Sequence, residues 1–141
     1  MTENNRGGKR KRAGIALFCP QSGQVLLMRR IREGYAYYVI CGGGVEEGES
    51  FTQAAKRELF EETGLLVKEV FPLCVLKSEG ENEVYGEAHY FYALCGQTPA
   101  LTIQGEELLR SSPQNIYIPS WINVKDLNNL NILPAKQKKN L

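Results

Sequence analysis

The sequence predicts one domain of the α/β (α+β) class, and three observations lead to that prediction. The 141 residues are a usual length for a single domain. Residues 50–63 have the composition and the boundaries of a helix. Short apolar and aromatic segments on both sides of it, such as residues 14–18 and 85–95, are typical of strands. Apolar residues make up 43% of the chain, which is sufficient for a hydrophobic core.

The predicted helix has a start signal and a stop signal. Ser50 followed by Gln53 forms a capping box, so the helix is expected to begin at Ser50. Gly64 adopts positive φ without strain and is expected to end the helix near Thr63. The residues between these signals include strong helix formers, namely Ala54, Ala55, Lys56, Glu58 and Leu59.

The strand segments flank this helix in chain order. Residues 14–18 and 25–28 are predicted to form a hairpin around the turn residues 20–23. Pro72 is predicted to place its strand at a sheet edge or at a bulge. In residues 85–95, alternation is expected to place Ala88 and Tyr90 on one face and His89 and Phe91 on the other. The remaining segments are residues 35–40, 67–77 and 115–118 as strands, and residues 122–130 as a short closing helix.

Three carboxylates lie on one face of the predicted helix. Glu58, Glu61 and Glu62 have the spacing i, i+3 and i+4, and each pair of like charges destabilises an isolated helix by a few tenths of a kcal/mol. Carboxylate oxygens are ligands for a hard cation such as Mg²⁺. The glycines at 42–44 allow the backbone to approach a ligand closely. These residues predict a helix-borne Mg²⁺ site beside a glycine loop, and the alternative interpretation is a solvated acidic face.

Residues 43–65 resemble a complete Nudix box. Nine positions define the motif, and none of them departs from the pattern. They are Gly43, Glu49, Arg57, Glu58, Leu59, Glu61, Glu62, Gly64 and Leu65. Ahead of the box, Cys41 stands where the family commonly has proline. The chain therefore looks like a Nudix hydrolase.

The resemblance implies a fold, a domain organisation and an activity. The fold is a Nudix-type α/β/α sandwich with a mixed β-sheet. Residues 12–133 are expected to form the single domain, between a flexible basic tail at 1–11 and a tail at 134–141. The implied reaction is cleavage of the pyrophosphate linkage of a nucleoside diphosphate derivative, a (d)NTP or a nucleotide sugar, with Mg²⁺ or alternatively Mn²⁺ as the cofactor.

The resemblance also suggests roles for residues around the box. Glu58, Glu61 and Glu62 are predicted metal ligands, and the family adds the Gly42 carbonyl. Family members often use a carboxylate from a later loop, for which Glu106 and Glu107 are candidates and Glu87 is a rival. The general base is therefore Glu58 or a loop glutamate. Arg57 belongs to the catalytic motif and is expected to fold back towards Glu49, holding the loop on the helix.

Arginines and aromatic residues before the box are the candidate substrate contacts. Arg29, Arg30 and Arg32 are placed to bind phosphate oxygens, or else they are a solvated strand end. Tyr38 and its neighbouring tyrosines are candidates for stacking on a base, or for sheet-face packing. Gly43 and Gly44 are expected to offer backbone amides to the substrate. His89, the one histidine of the chain, is expected to be structural.

Charge and cysteine content exclude several other classes. The net charge of +1 argues against a dedicated nucleic-acid-binding protein, and no segment is long and apolar enough to span a membrane. The four cysteines contain no CxxC pair, which disfavours a zinc site or a redox motif and suggests buried thiols in a cytoplasmic protein. The basic N-terminal residues also permit an arm that meets substrate phosphate or RNA.

Two alternatives to a small-molecule pyrophosphohydrolase remain within the Nudix class. One is a nucleotide-sensing domain without catalysis, which the three box glutamates disfavour. The other is an RNA 5′-pyrophosphohydrolase. An isomerase of prenyl diphosphates on the same fold has only Cys41 in its support. The resemblance also suggests a homodimer, because many members of the family are dimers.

Overall fold

The computed structural model describes residues 10–77, 85–96, 115–130 and 132 of the chain. In these residues, one sheet of seven strands packs with one α-helix and one 3₁₀ helix. The strands are β1 (Arg10–Cys19), β2 (Gln24–Arg32), β3 (Tyr35–Val39), β4 (Cys41–Gly44), β5 (Phe71–Lys77), β6 (Tyr85–Leu94) and β7 (Asn115–Asn123). The helix α1 is Phe51–Thr63 and the 3₁₀ helix is Val124–Asn129.

The sheet is mixed, as predicted. The strand order is β3-β2-β1-β6-β5, with β4 paired to β1 and β7 paired to β2. Strands β1 and β6 run parallel, whereas the other pairs are antiparallel. The predicted hairpin of β1 and β2 is confirmed by the pairing of Leu17 with Leu26. Strand β1 therefore contacts three other strands and carries the centre of the fold.

Helical residues cover both faces of the sheet. On one face, Ala54, Ala55 and Leu59 of α1 pack with Ile15 and Leu26. On the other face, Leu127 of the 3₁₀ helix packs in a second cluster, which also contains Ala16, Val25, Leu27, Ile40, Ala88, Tyr90 and Ile132. This arrangement confirms the α/β/α sandwich.

Both boundaries of α1 agree with the sequence signals. The Ser50 side chain accepts a hydrogen bond from the Gln53 amide at 3.0 Å, and the Gln53 side chain accepts one from the Ser50 amide at 2.8 Å. At the other end, Gly64 has φ 78°, and its amide donates to the Phe60 carbonyl at 2.8 Å. These contacts satisfy backbone groups that helix ends leave without intrahelical partners.

Several strand boundaries differ from the prediction. Strand β1 begins at Arg10, so Arg10 and Lys11 belong to the sheet and not to the predicted tail. Arg29 and Arg30 lie inside β2, because β3 and β7 pair with β2 on its two sides and extend it beyond its apolar residues. Cross-strand pairing outweighs the low strand preference of charged residues.

Strand pairing also determines the structure of the glycine segment and of the segment that contains Pro72. The segment Cys41–Gly44 is a short strand and not the predicted glycine loop, because it pairs with β1. Pro72 lies in β5 at the end of the strand order, and the register with β6 shifts between Pro72 and Cys74, as predicted. The strand begins at Phe71, later than expected. Residues 78–84 and 97–114 lie outside the described residues.

The close approach of β1 to β4 depends on Gly14. A Cβ atom at this position would lie 2.7 Å from the Cys41 carbonyl oxygen. We predict that Gly14→Ala destabilises the protein by roughly 1–3 kcal/mol, as overpacking of a core does. Gly96→Ala is the matched control, because a Cβ there meets no atom within 4 Å. Equilibrium urea unfolding measures both, and equal stability of the two variants would contradict the packing described.

Candidate active site

A cavity of about 340 Å³ lies between the carboxylates of α1 and the strands β1, β2, β3, β4 and β7. Its wall combines carboxylates, guanidinium groups and exposed backbone. The polar residues are Glu58, Glu61, Glu62, Arg10, Arg12, Arg30 and Gly42 to Gly44. The remaining wall consists of Met28, Val39, Ile40, Cys41 and Tyr117. Opposite charges therefore face a common volume, which suits a ligand that contains both an anion and a cation.

Glycine is required at 43 because Glu58 packs directly against the backbone there. A Cβ atom at Gly43 would lie 2.5 and 2.6 Å from the two carboxylate oxygens of Glu58. At Gly42, an added Cβ would overlap the Ala13 carbonyl on β1. The absence of side chains thus allows β4 to lie between β1 and α1. This close packing places backbone carbonyl and amide groups beside the carboxylates.

Arg57 joins the loop to the helix. Its Nε and Nη2 donate to the two carboxylate oxygens of Glu49 at 2.6 and 3.0 Å, and Nη2 also donates to the Gly44 carbonyl at 2.9 Å. Nη1 donates to Glu58 at 3.1 Å and to Glu61 at 3.3 Å. The predicted pairing of Arg57 with Glu49 is confirmed. Arg57 is not part of the cavity wall, so these contacts give it a positioning role.

Burial and pairing change the proton affinities of two glutamates in opposite directions. Burial raises the pKa of Glu58, and the neighbouring Arg57 offsets part of that rise. The hydrogen bonds from Arg57 lower the pKa of Glu49. Glu62 is the most enclosed of the three box glutamates lining the cavity, with 7% of its surface exposed. The site therefore holds carboxylates in partly desolvated surroundings, where a cation would stabilise their charge.

The donor set fits a hard divalent cation, although the side chains are not converged on one point. Three carboxylates and the backbone of Gly42 share the cavity. Within the described residues, no three His, Cys, Asp or Glu side chains lie close enough to one another to bind a single metal ion. Arg57 holds Glu58 and Glu61 by hydrogen bonds. Mg²⁺ commonly uses one or two carboxylates together with water and substrate phosphate, so a protein cage is not required.

Hydrogen bonds and ring contacts fix two arginines of the cavity wall. Arg12 donates to the Ile40 carbonyl at 3.1 Å and to the Tyr90 hydroxyl at 3.2 Å. Arg30 donates to the Tyr117 hydroxyl at 2.7 Å, and its Cζ lies 4.2 Å from the centroid of that ring. Fixed guanidinium groups lose little side-chain entropy when they bind an anion.

Sequence reasoning found Arg30 but missed Arg10, Arg12 and Tyr117. The two N-terminal arginines were assigned to, or just after, a flexible tail. No alternation of polar and apolar residues marks this segment as a strand, and its pairing with β6 is what brings both arginines into the sheet. Tyr117 reaches the cavity because it is the β7 partner of Arg30. That pairing joins distant parts of the chain, and no local signal in the sequence indicates it.

Two of the predicted substrate contacts lie away from the cavity. Arg29 and Tyr38 pair with each other across β2 and β3, and neither lines the cavity. Tyr38 packs with the core cluster on the sheet face opposite α1. Because side chains alternate along a strand, Arg29 and Arg30 cannot both face the same site.

Glu87, the rival candidate carboxylate, does not line the cavity. Glu87 on β6 contacts His89 at 2.7 Å, and the His89 ring stacks on Phe51 with a centroid distance of 3.6 Å. These contacts agree with the structural role expected for His89. Glu106 and Glu107 lie outside the described residues.

Comparison with known proteins identifies the family. The sequence model of the NUDIX domain matches residues 8–140. The chain therefore belongs to the Nudix family.

Relatives and solved structures agree with this assignment. The chain is 32% identical to a protein of Bartonella bacilliformis named RNA pyrophosphohydrolase, over 84% of this chain and 79% of the relative. It is 46% identical to a protein of the same name from Caulobacter vibrioides, over 46% of this chain and only 38% of the relative's length.

Two solved structures have the same fold. A MutT Nudix hydrolase from Burkholderia pseudomallei superposes with a TM-score of 0.71 at 21% identity, over 94% of this chain and 98% of that chain. The Nudix domain of Shewanella oneidensis NrtR, in complex with ADP ribose, has a TM-score of 0.69 at 18% identity, over 94% and 84% of the two chains. In the described residues, no helix has the length and apolar character needed to cross a membrane.

The contact between Glu49 and Arg57 predicts a pH-dependent stability. Because the folded-state pKa of Glu49 lies below its ordinary value of 4.5, its contribution is complete above that value and is lost as the pH falls through the folded-state pKa. We predict that Glu49→Gln lowers the free energy of unfolding by roughly 1–3 kcal/mol at neutral pH. The difference from wild type is expected to shrink as the solution is acidified below pH 4.5.

Urea unfolding at a series of pH values tests this prediction. Glu47→Gln is the matched control, since Glu47 is an exposed residue of the same loop. A loss of stability in Glu49→Gln that stays constant on acidification would show that the carboxylate charge is not its source.

Proposed function

We propose that the protein is a metal-dependent hydrolase that cleaves a pyrophosphate linkage at the 5′ end of a nucleotide. One observation carries the proposal: three carboxylates and three arginines line the same cavity. A pyrophosphate group is an anion that binds divalent cations, so it needs both kinds of side chain at once. Membership of the Nudix family supports this reading.

The residues divide into two groups with different tasks. Glu58, Glu61, Glu62 and the Gly42 carbonyl would hold Mg²⁺, with Mn²⁺ as an alternative. When bound, the cation neutralises phosphate charge and lowers the pKa of a coordinated water. Arg10, Arg12 and Arg30 would bind the phosphate oxygens, and the Gly43 and Gly44 backbone would lie against the anion.

The reaction itself is an in-line displacement at phosphorus. A water oxygen forms a bond to one phosphorus while the bridging P–O bond breaks, and the leaving phosphate takes the bond electrons. A carboxylate must accept the proton of the attacking water. Glu58 is a candidate from its position in the cavity, and Glu106 or Glu107 is the alternative. Arg57 would act through its hold on Glu49 and Glu58 rather than by touching the substrate.

For the substrate class, a triphosphorylated RNA 5′ end is favoured over a free (d)NTP or a nucleotide sugar. The observation behind this preference is the name of the Bartonella bacilliformis relative, which is similar over most of both chains. The complex of the Shewanella domain with ADP ribose carries less weight, because its 18% identity supports the fold alone. We therefore propose RNA 5′-pyrophosphate removal first and nucleotide hydrolysis second.

Glu62→Gln tests the metal site. We predict that it lowers kcat by about 100-fold or more, because it removes a charged ligand without changing the size of the side chain. Glu69→Gln is the matched control, since Glu69 is exposed and outside the cavity. Phosphate or pyrophosphate release is measured with a triphosphorylated RNA oligonucleotide, a nucleoside triphosphate and a nucleotide sugar, with and without Mg²⁺.

Titration calorimetry with Mg²⁺ or Mn²⁺ gives a second readout. Glu62→Gln is expected to bind the cation more weakly than wild type, and Glu69→Gln is expected to bind it equally well.

Turnover with the RNA alone would establish the first substrate class, and turnover with the small nucleotides alone would establish the second. If wild type binds nucleotide but converts none of the three substrates, the hydrolase proposal fails and the nucleotide-sensing alternative gains support.

Arg30 and Tyr117 provide a test of phosphate binding. We predict that Tyr117→Phe, which removes the hydroxyl but keeps the ring, raises KM about tenfold with kcat almost unchanged, a loss of about 1.4 kcal/mol of binding. Arg30→Ala is expected to have the larger effect on KM. Arg32→Ala is the charge-matched control, because Arg32 is exposed on the same strand and does not line the cavity. An equal rise in KM for the Arg30 and Arg32 variants would indicate general electrostatic attraction and contradict a specific contact.

A further inference from the structure

Two cysteines that are far apart in the sequence lie next to each other at one end of the sheet. Cys19 ends β1, and Cys95 directly follows the last residue of β6. These strands are parallel neighbours in register as far as Phe18 and Leu94, so the next residue along each strand is a cysteine. The Cys95 amide donates a hydrogen bond to the Phe18 carbonyl at 3.0 Å, which continues the pairing to this point.

The register favours a covalent link between these residues. Neighbouring strands lie about 4.7–4.9 Å apart, and a disulfide joins residues whose Cα atoms are about 4.4–6.8 Å apart. Residues side by side in parallel strands direct their side chains to the same face of the sheet. Besides burial, the neighbouring Cys19 thiol contributes to the raised pKa of Cys95, which agrees with two side chains that lie close together. Neither cysteine is part of a disulfide in the structure.

The pair is accessible from one side only. Cys19 is fully buried, whereas Cys95 is partly exposed. Cys95 lies in a surface groove with Leu66 and Leu94, which are 82% and 55% exposed. A small reagent would therefore reach the sulfur of Cys95 first, because the sulfur of Cys19 is buried. Burial is the main reason that the pKa of Cys95 is raised to about 11, so attack by this thiol is slow at neutral pH.

We infer that Cys19 and Cys95 form a dithiol site that small disulfides oxidise reversibly to an intramolecular disulfide. In the first step, the Cys95 thiolate attacks one sulfur of the reagent disulfide and expels one reagent thiolate. In the second step, Cys19 attacks the Cys95 sulfur of the mixed disulfide and expels the second. The two cysteines lose two electrons and two protons, and the reagent is reduced to two thiols.

The inference does not depend on the proposed hydrolase activity. Cys19 lies at the opposite end of β1 from Arg10 and Arg12, which line the active-site cavity. A link at this end would join the two parallel strands of the sheet and restrict the unfolded chain. We therefore expect oxidation to raise the melting temperature, and a dithiol reductant to reverse the rise, with no change in turnover.

Oxidation of the full chain by glutathione disulfide is the experiment. It is carried out at about pH 9, where more of the thiols are ionised, and followed by intact mass and peptide mapping. The expected product of the wild type has lost two hydrogen atoms, carries no glutathione and contains a Cys19–Cys95 cross-link. Cys74→Ser is the matched control and is expected to give the same cross-link, because Cys74 on β5 takes no part in the pair.

The single variants distinguish a pair from one exposed thiol. Cys19→Ser is expected to accumulate a stable glutathione adduct on Cys95, because no second thiol is present to displace it. Cys95→Ser is expected to lose no hydrogen atoms. If the buried substitution prevents folding, the peptide map of the wild type alone decides the matter. A lasting adduct on Cys95 in the wild type, a cross-link to Cys41 or Cys74, a link between two chains, or no reaction would each overturn the inference.

Discussion

The guanidinium group of Arg57 is the constraint on which the candidate site depends. It contacts Glu49 and the Gly44 carbonyl on the loop side, and Glu58 and Glu61 on the helix side. A single planar cation thus determines how far the loop stands from the helix. Arginine suits this task because its donors have a fixed geometry and its charge is permanent. Lysine would supply the charge without the planar arrangement of donors.

Holding carboxylates close together has an electrostatic cost, and Arg57 offsets part of it. Burial raises the pKa of Glu58, which indicates that its charged form is disfavoured, while Arg57 favours that form. Arg57 also donates hydrogen bonds to both Glu58 and Glu61. Binding of a metal ion would then exchange one cation for another near these oxygens.

The features predicted correctly from the sequence depend on contacts over short distances along the chain. The capping box at Ser50, the end of the helix at Gly64 and the Arg57–Glu49 pair all join residues separated by a few positions. The box glutamates belong to this group because helical spacing alone places them on one side of α1. The errors arose where strand pairing decides. Arg29 was grouped with Arg30, although alternation along a strand separates them.

Strand pairing also explains why three further features were not predicted from the sequence. These features are the positions of Tyr117 and Arg12 and the Cys19–Cys95 pair. Each meets its neighbours through the register of strands that are distant in sequence. The composition of a segment predicts a strand but does not indicate which other strand it pairs with. The register of that pairing then decides which side chains become neighbours. The Pro72 irregularity was predictable because proline lacks the donor that a sheet ladder needs.

The parallel pairing of β1 and β6 has a consequence for how the chain reaches this fold. Strand β1 forms at the start of the described chain, but its parallel partner comes only after the hairpin, the glycine segment, α1 and β5. Contacts between such distant segments form late, because a long loop must close first. During synthesis, β1 would therefore remain an open sheet edge until β6 emerges from the ribosome. The backbone N–H and C=O groups on that side of β1 are then without strand partners, and this interval is when the chain is most prone to associate with other chains.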